Sequence, residues 1–303
     1  MRNASAHLGQ SKIHEPSGNK VAGEGNPTLR RRELGFLLRQ LRTERGLSVD
    51  DVTQRLLFSA TKVSRLETGR AGASPRDIRD LCVLYEVTDT AERERLMSLA
   101  REGKQRAWWQ ELALPYATYV GLEAEATSLS DYNTDIVTGL LQVEGYARAL
   151  FGVTEPPLDP PVIEQRIEAR MKRQAILEQD AGPTLHCILD EGALRRPIGG
   201  PAVMRDQLAR LVQAAGLPRV TFQIIPLAIG AHPALDSTFV IIQFEEAMVN
   251  DVVYVEGAVG NIYMESPADL QRYKQMFSRL RSIALSPDDS IALVNRTSET
   301  YKA

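Results

Sequence analysis

Four side chains on one short stretch carry the most legible chemistry in this 303-residue sequence: Thr61, Lys62, Ser64 and Arg65. They lie in SATKVSRLETG, residues 59–69, where Val63 and Leu66 recur at helical spacing and turn inward. Ser59 is placed to cap the helix and Gly69 to stop it. Hydroxyls, an ammonium and a guanidinium on one exposed face suit the DNA major groove. An Arg can bond two guanine acceptors at once, and Thr and Ser can bond base edges or phosphates. Ser59 joins these four as a candidate DNA contact, and so does Arg31. Arg31 is the middle of three successive arginines, Arg30 to Arg32, at the start of the first helix, where cations oppose the helix dipole. A nearby phosphate would ease that cost; a solvated cluster is the alternative.

A second group of candidates follows a strand end later in the chain. Asp190, Glu191, Arg195 and Arg196 sit there, and His232 lies in the loop AIGAHPAL. Glu191, Arg195 and His232 make a possible ligand or partner site. Gly199-Gly200 before a helix could present amides to an anion, although a plain loop serves equally. Glu123 and Glu125, at i and i+2 of one helix, point to different faces and share no site. Arg166, Arg170, Lys172 and Arg173 read as a solvated basic helix face, with a salt-bridge or anion site as the alternative. There is no G-x-S-x-G, H-E-x-x-H or P-loop pattern. No Cys/His spacing suggests zinc. The chain therefore reads as a non-enzyme without metal or cofactor.

The elements that position these residues fall into two domains. Residues 1–28 have almost no apolar periodicity and read as a disordered arm. Residues 29–104 read as five short helices. The first, 29–45, is capped by Thr28, with Leu34, Leu37, Leu38 and Leu41 inward. The second is opened by Ser48, carries Asp50 and Asp51 in its first turn, and turns Val52, Leu56 and Leu57 inward. The third is the 59–69 helix. Ser74-Pro75 opens the fourth, with Ile78, Leu81, Cys82 and Tyr85 inward. Thr90 opens the fifth, with Leu96, Leu99 and Ala100 inward. On periodicity alone the second and third helices fit a helix-turn-helix and an ordinary helical hairpin equally well.

Residues 105–118, with Trp108-Trp109, read as a linker. Residues 119–290 read as an α+β domain with a mixed sheet flanked by helices. It opens with two helices over 119–151, bent at Thr138-Gly139. A proline-rich connector, 156–161, and a long helix, 162–179, follow. The strands at 184–189 and 220–226 flank a helix at 201–215, which implies a parallel pair. The strands at 237–244, 251–256 and 260–264 read as an antiparallel meander. A helix over 267–285 closes the domain; residues 286–303 read as a weak helix ending in a frayed tail, with 291–303 as the tail.

Composition narrows the function. Hydrophobic residues make up 43% and charged residues 25%, which is ordinary for a globular chain. No apolar run approaches a membrane span, and no signal-peptide core is visible, so a cytoplasmic location is expected. Cys82 and Cys187 fall in core segments and read as reduced thiols. The net charge is −3, yet residues 30–106 hold 17 Lys/Arg against 12 Asp/Glu, a balance of +5 that leaves −8 for the rest. Basic charge on the segment with the DNA-reading pattern is an electrostatic footprint of phosphate contact.

Arg42 stands before the Arg-Gly-Leu-Ser turn, and Glu67 closes the third helix. Together with LRQLRTERGLS, SATKVSRLETG and DIRDLCVLYEV, this stretch resembles the Cro/CI-type (lambda-repressor-like, XRE) DNA-binding domain over about residues 29–101. The resemblance implies a partly buried ion pair between Arg42 and Glu67. Thr53 departs from the family's usual Ala and Leu57 from its frequent Gly, which makes the turn bulkier. From Trp108 to Val294 the chain is similar to the C-terminal domain of actinobacterial WhiJ-like regulators. The pieces that carry this are YVGLEAEA, GLLQVEGYARAL, LDEGALRRPIGGPAVMRDQL, VYVEG and ALSPDDS. Thr138 and Val143 stand where that group tends to have Pro and Thr. The resemblance implies a transcription regulator controlled by a small protein partner encoded nearby, an antitoxin-like arrangement. A small-molecule sensor is the alternative, and an enzyme carrying a DNA-binding head is the third reading. One recognition helix reads few base pairs, so a homodimer on a palindromic double-stranded operator is expected.

Overall fold

The computed structural model describes residues 26–105, 107–112, 114–245, 249–257 and 260–302. Most of the stretch read as a disordered arm, residues 1–25, lies outside the described residues.

Five helices build the N-terminal head: α1 (Pro27–Glu44), α2 (Val49–Leu56), α3 (Ala60–Glu67), α4 (Pro75–Leu84) and α5 (Thr90–Glu102). Each opens on a residue that can accept backbone N–H bonds, which satisfies donors a helix start leaves over. Ser48 with Asp51, and Ser74 with Asp77, form reciprocal capping boxes. The cap of α1 is Asn26 rather than Thr28: its side chain accepts from the N–H groups of Thr28 and Leu29. The cap of α5 is Asp89, one residue before Thr90. Leu34, Leu38, Val52, Val63, Leu66, Ile78, Leu81, Cys82, Tyr85, Leu96, Leu99 and Ala100 close one core. Gly35 lets α1 approach α3 closely, since a Cβ there would lie 2.5 Å from the Leu66 carbonyl oxygen.

The segment read as a linker belongs to the second domain. α6 (Trp108–Glu111) and α7 (Ala117–Glu123) bring Trp109, Leu114, Tyr116 and Tyr119 into its core. The two tryptophan rings meet edge to face, and the Lys172 ammonium lies 4.5 Å from the Trp108 ring centre. β1 (Ser128–Asn133), α8 (Glu144–Phe151), α9 (Pro160–Gln174), β2 (Thr184–Asp190), α10 (Gly192–Arg195), α11 (Gly200–Ala215), β3 (Val220–Ile225), β4 (Phe239–Gln243), β5 (Val252–Gly257), β6 (Gly260–Met264), α12 (Pro267–Ile283) and α13 (Pro287–Glu299) complete it. The six strands form one mixed sheet in the order β3-β2-β1-β4-β5-β6, with β1, β2 and β3 parallel and β4, β5 and β6 antiparallel in turn. Leu129, Leu185, Phe222 and Ile242 join the core against α7, α11 and α13. Tyr132, Ile188, Ile225 and Phe239 pack with Phe277 and Leu280 of α12 on the other face.

Three expectations are corrected here. The region 119–151 is not two helices: it contains β1, which pairs with β2 on one side and β4 on the other. The helix expected over 286–303 is present, but the stretch from 291 is not its frayed tail. It is most of α13, whose Leu293 and Val294 are buried and whose Ser290 hydroxyl accepts from the Ile224 N–H at 2.9 Å. The basic face of α9 is not solvated throughout. Arg173 is buried and donates to both Glu123 oxygens at 2.8 and 2.6 Å, and Arg170 donates to Gln142 at 2.8 Å. Burial works against the Arg173 charge, but Glu123 outweighs it and raises the guanidinium's pKa.

Asp131 on β1 faces the same buried zone. Burial pushes its carboxyl up to about 6, against hydrogen bonds from Thr138 and Asn133 that favour the charged form. Below about pH 4 both folded and unfolded chains hold the proton. Between the unfolded value and 6 only the folded chain does, so stability falls as pH rises through this window. Asp131→Asn is therefore expected to remove roughly 2 kcal/mol of pH dependence between pH 4 and 7, read from urea unfolding of both proteins at each pH.

The two domains are docked. Asn26 Nδ2 donates to the Gly121 carbonyl of α7 at 2.7 Å. Arg32 pairs with Glu265 at 2.5 Å, and Gly121 lies so close to Thr28 that no side chain fits between them.

Candidate nucleic-acid interface

α2 and α3 meet through a turn of three residues, Leu57, Phe58 and Ser59. Leu57 is not inward. It ends α2 in the left-handed region, at φ 54° and ψ 34°, and is 91% exposed. It follows Leu56 directly, but the chain has left the helix by then, so helical spacing no longer places it. An L-residue with a branched side chain is strained there. Leu57→Gly is expected to stabilise the head by about 1 kcal/mol, seen as a raised denaturant midpoint at unchanged slope, because no core contact is lost.

Ser59 then opens α3, its Oγ accepting from the Lys62 N–H at 3.1 Å. Val63 and Leu66 are buried, and Thr61, Ser64 and Arg65 are exposed on the outer face. Lys62 departs from them. Its ammonium donates to Asp77 at 2.6 Å and lies 3.6 Å from the Phe58 ring centre, which ties α3 to the start of α4. Arg31 is also engaged within the protein, donating to the Pro27 carbonyl at 3.1 Å and to Thr28 Oγ1 at 3.3 Å. Its neighbours are likewise used: Arg30 on Glu33 and Glu102, Arg32 on Glu265. Arg30 and Arg32 are thus balanced by carboxylates, whereas Arg31 bonds only neutral groups among the described residues.

The end of α3 is held from behind. Arg42 Nε and Nη2 donate to the two Glu67 oxygens at 2.6 and 2.9 Å, and Nη1 donates to the Leu47 carbonyl at 2.7 Å. One guanidinium therefore fixes the ends of α1 and α3 and the turn into α2, through a nearly buried fork. Gly69, at φ 66°, lets the chain turn off α3 directly over Arg32, where a Cβ would lie 2.8 Å from backbone atoms. Beyond it, Arg65, Thr68 and Arg70 line a crevice of about 970 Å³ whose opposite wall is formed by Thr154, Leu158, Arg166 and Glu256.

A family model described as a helix-turn-helix domain matches residues 33–96. The head is an XRE-type helix-turn-helix domain. A second model, described as a domain of unknown function (DUF5753), matches residues 116–296, more than half of the chain. The chain belongs to the DUF5753 family. No curated protein and no solved structure matches it.

In the DUF5753 domain the residues singled out after β2 do not converge on one reactive centre. Glu191 accepts the Leu227 N–H at 2.9 Å and pairs with Arg195. Burial opposes its ionisation, but those two partners outweigh it and hold the carboxyl below the ordinary range. The His232 ring is buried, with Nε2 3.6 Å from Asp190 and 3.5 Å from the Tyr132 hydroxyl. Glu191 and His232 thus anchor the loop between β3 and β4, and that loop exposes Leu227, Ile229 and Leu235. Gly199 and Gly200 both have positive φ at the start of α11, as a tight turn requires. No cluster suited to a metal ion occurs among the described residues, and none of the described helices is long and apolar enough to cross a membrane. Sequence reasoning passed over Tyr116 and Tyr254 and placed Arg170 on a solvated basic face, because the surroundings of all three are set by contacts between distant segments.

Proposed function

We propose that this protein is a sequence-specific transcription regulator that binds double-stranded DNA through α3. The observation that carries this reading is an exposed Thr61-Ser64-Arg65 face on a helix whose rear is clamped by Arg42 and Glu67. A homodimer reads a palindromic operator, because one such face covers few base pairs. The DUF5753 domain binds a small protein partner that modulates DNA binding, in the antitoxin-like manner implied by the resemblance. The apolar loop residues Leu227, Ile229 and Leu235, anchored from beneath by Glu191 and His232, support a protein-binding surface there. Small-molecule sensing is the second reading, favoured by a separate cavity in the same domain.

The test begins with selection of bound sequences from a random duplex pool, followed by mobility shift. Arg65→Ala is expected to cost roughly 1–3 kcal/mol on the selected sequence and to relax preference at one base pair. Unchanged affinity and unchanged preference would remove Arg65 from the reading face. A pool without enrichment would overturn sequence-specific binding itself.

A further inference from the structure

A cavity of about 420 Å³ lies in the DUF5753 domain, lined from α7, β1, α8, α9, β4 and β5. That volume is within the range of small-ligand sites. Five aromatic side chains are among its lining: Tyr116, Tyr119, Phe151, Phe239 and Tyr254. Three of its lining residues carry a buried polar atom with no hydrogen-bond partner among the described residues. These are the hydroxyls of Tyr116 and Tyr254 and the Nε of Arg170. A buried donor left unpaired is costly, and native folds keep few of them. Three around a single space mark a site that offers donors to something with acceptors.

Charge narrows the occupant. Arg170 pairs with no carboxylate among the described residues. Gln142 takes one of its N–H groups, and its guanidinium carbon lies 5.0 Å from the Phe151 ring centre. Arg173 behind it is used by Glu123. Three acidic groups line the cavity. Asp131 already accepts from Thr138 and Asn133, Asp135 reaches Arg196 at 3.5 Å, and Glu256 also lines the crevice beside the head. Of the two lining cations, Arg173 is paired with Glu123 and Arg170 has no carboxylate partner among the described residues, so Arg170, set among aromatic rings, is the cation open to an anion. Asp131 and Glu256, for their part, are carboxylates with no cation of their own there among the described residues.

We propose that this cavity binds a small planar aromatic carboxylate, its ring between the tyrosines and its carboxylate on Arg170, and that occupancy alters the hold of the head on DNA. The coupling follows from shared walls: Thr154 and Glu256 line both this cavity and the crevice that Arg65, Thr68 and Arg70 line from the head. That second half rests on the DNA-binding reading above.

The full-length chain would be titrated by calorimetry with benzoate, salicylate, anthranilate and indole-3-acetate, and with the neutral amide of each. At least one acid is expected to bind with a Kd near or below about 1 mM, and its amide about tenfold more weakly. Arg170→Gln should erase the preference for acid over amide. Tyr254→Phe removes only an unpaired hydroxyl, so it should melt no lower than the wild type, yet weaken the acid about tenfold. Failure of every acid overturns the site. So does a Tyr254→Phe protein that melts lower and binds the acid unchanged, because the hydroxyl would then be a structural group. Mobility shift on the selected operator should change about fivefold or more with the acid present. Acid binding without that change overturns the coupling alone, and acid binding with no operator recovered identifies the DNA-binding reading as the part that failed.

Discussion

Replacing Arg173 by methionine is expected to destabilise the DUF5753 domain by roughly 3–5 kcal/mol, the largest effect of any single change discussed for this chain. The guanidinium and the Glu123 carboxylate are 7% and 1% exposed, and both their hydrogen bonds are short and parallel. Methionine fills much of the volume, so the loss comes from a carboxylate left without its partner in a place water does not reach. The Arg173 guanidinium also faces Tyr116 and Tyr119 at 5.5 and 5.1 Å, and those contacts go with it. Combining Arg173→Met with Glu123→Leu removes the stranded charge. The double variant is expected to recover most of the stability, since apolar replacement of a whole buried pair is often nearly neutral. Chemical denaturation of the three proteins checks this. A double variant as unstable as the single one would show that the pair acts through packing rather than charge.

Arg42→Ala is expected to cost the head roughly 2–4 kcal/mol, a little less because the pair keeps some contact with water. The change strands Glu67 and also frees the Leu47 carbonyl, so α3 loses its rear support and α1 its tie to the turn. DNA affinity should fall although Arg42 is nearly buried and lies behind the reading face. Measuring DNA binding at several temperatures separates the two contributions: affinity should approach the wild-type value on cooling, as the head refolds. An early transition in thermal melting that leaves the DUF5753 signal intact would assign the loss to the head, and melting identical to wild type would refute the clamp.

These expectations show where local sequence is a sufficient guide. Ser48, Ser59 and Ser74 could be read as caps because a cap works within three residues of itself, and Val63 and Leu66 because helical periodicity is equally local. Arg42 and Glu67 were paired by resemblance, as nothing in their spacing requires it. Longer-range facts were hidden. The strand Ser128–Asn133 contains Asp131, poor strand material by type, and it is stable there because Thr138 comes back from the following turn to bond it. Arg173 looked like one of several cations on a wet helix because Glu123 is 50 residues away. Leu57 misled because it adjoins the inward Leu56, although α2 stops at Leu56 and helical spacing no longer applies to the next residue. For α13 the helix itself was legible, since Ser286-Pro287 repeats the opening of α4 and its hydroxyl accepts from the Asp289 N–H; the burial of Leu293 and Val294, which depends on distant segments, was not.

The docking of Asn26 has a consequence for how such chains could be recombined. In the primary sequence the head ends near Gly103, and exchanging it there looks like changing a tool on a handle. Asn26, however, starts the first helix of the head with one end of its side chain and holds α7 with the other. Arg32 reaches Glu265, and Gly121 leaves room only for what stands at Thr28. A transplanted head would bring its own residues to positions 26, 28 and 32 and would meet a surface shaped for these ones. The boundary drawn along the chain is therefore no seam in three dimensions, and inheritance of one domain constrains what the other can become.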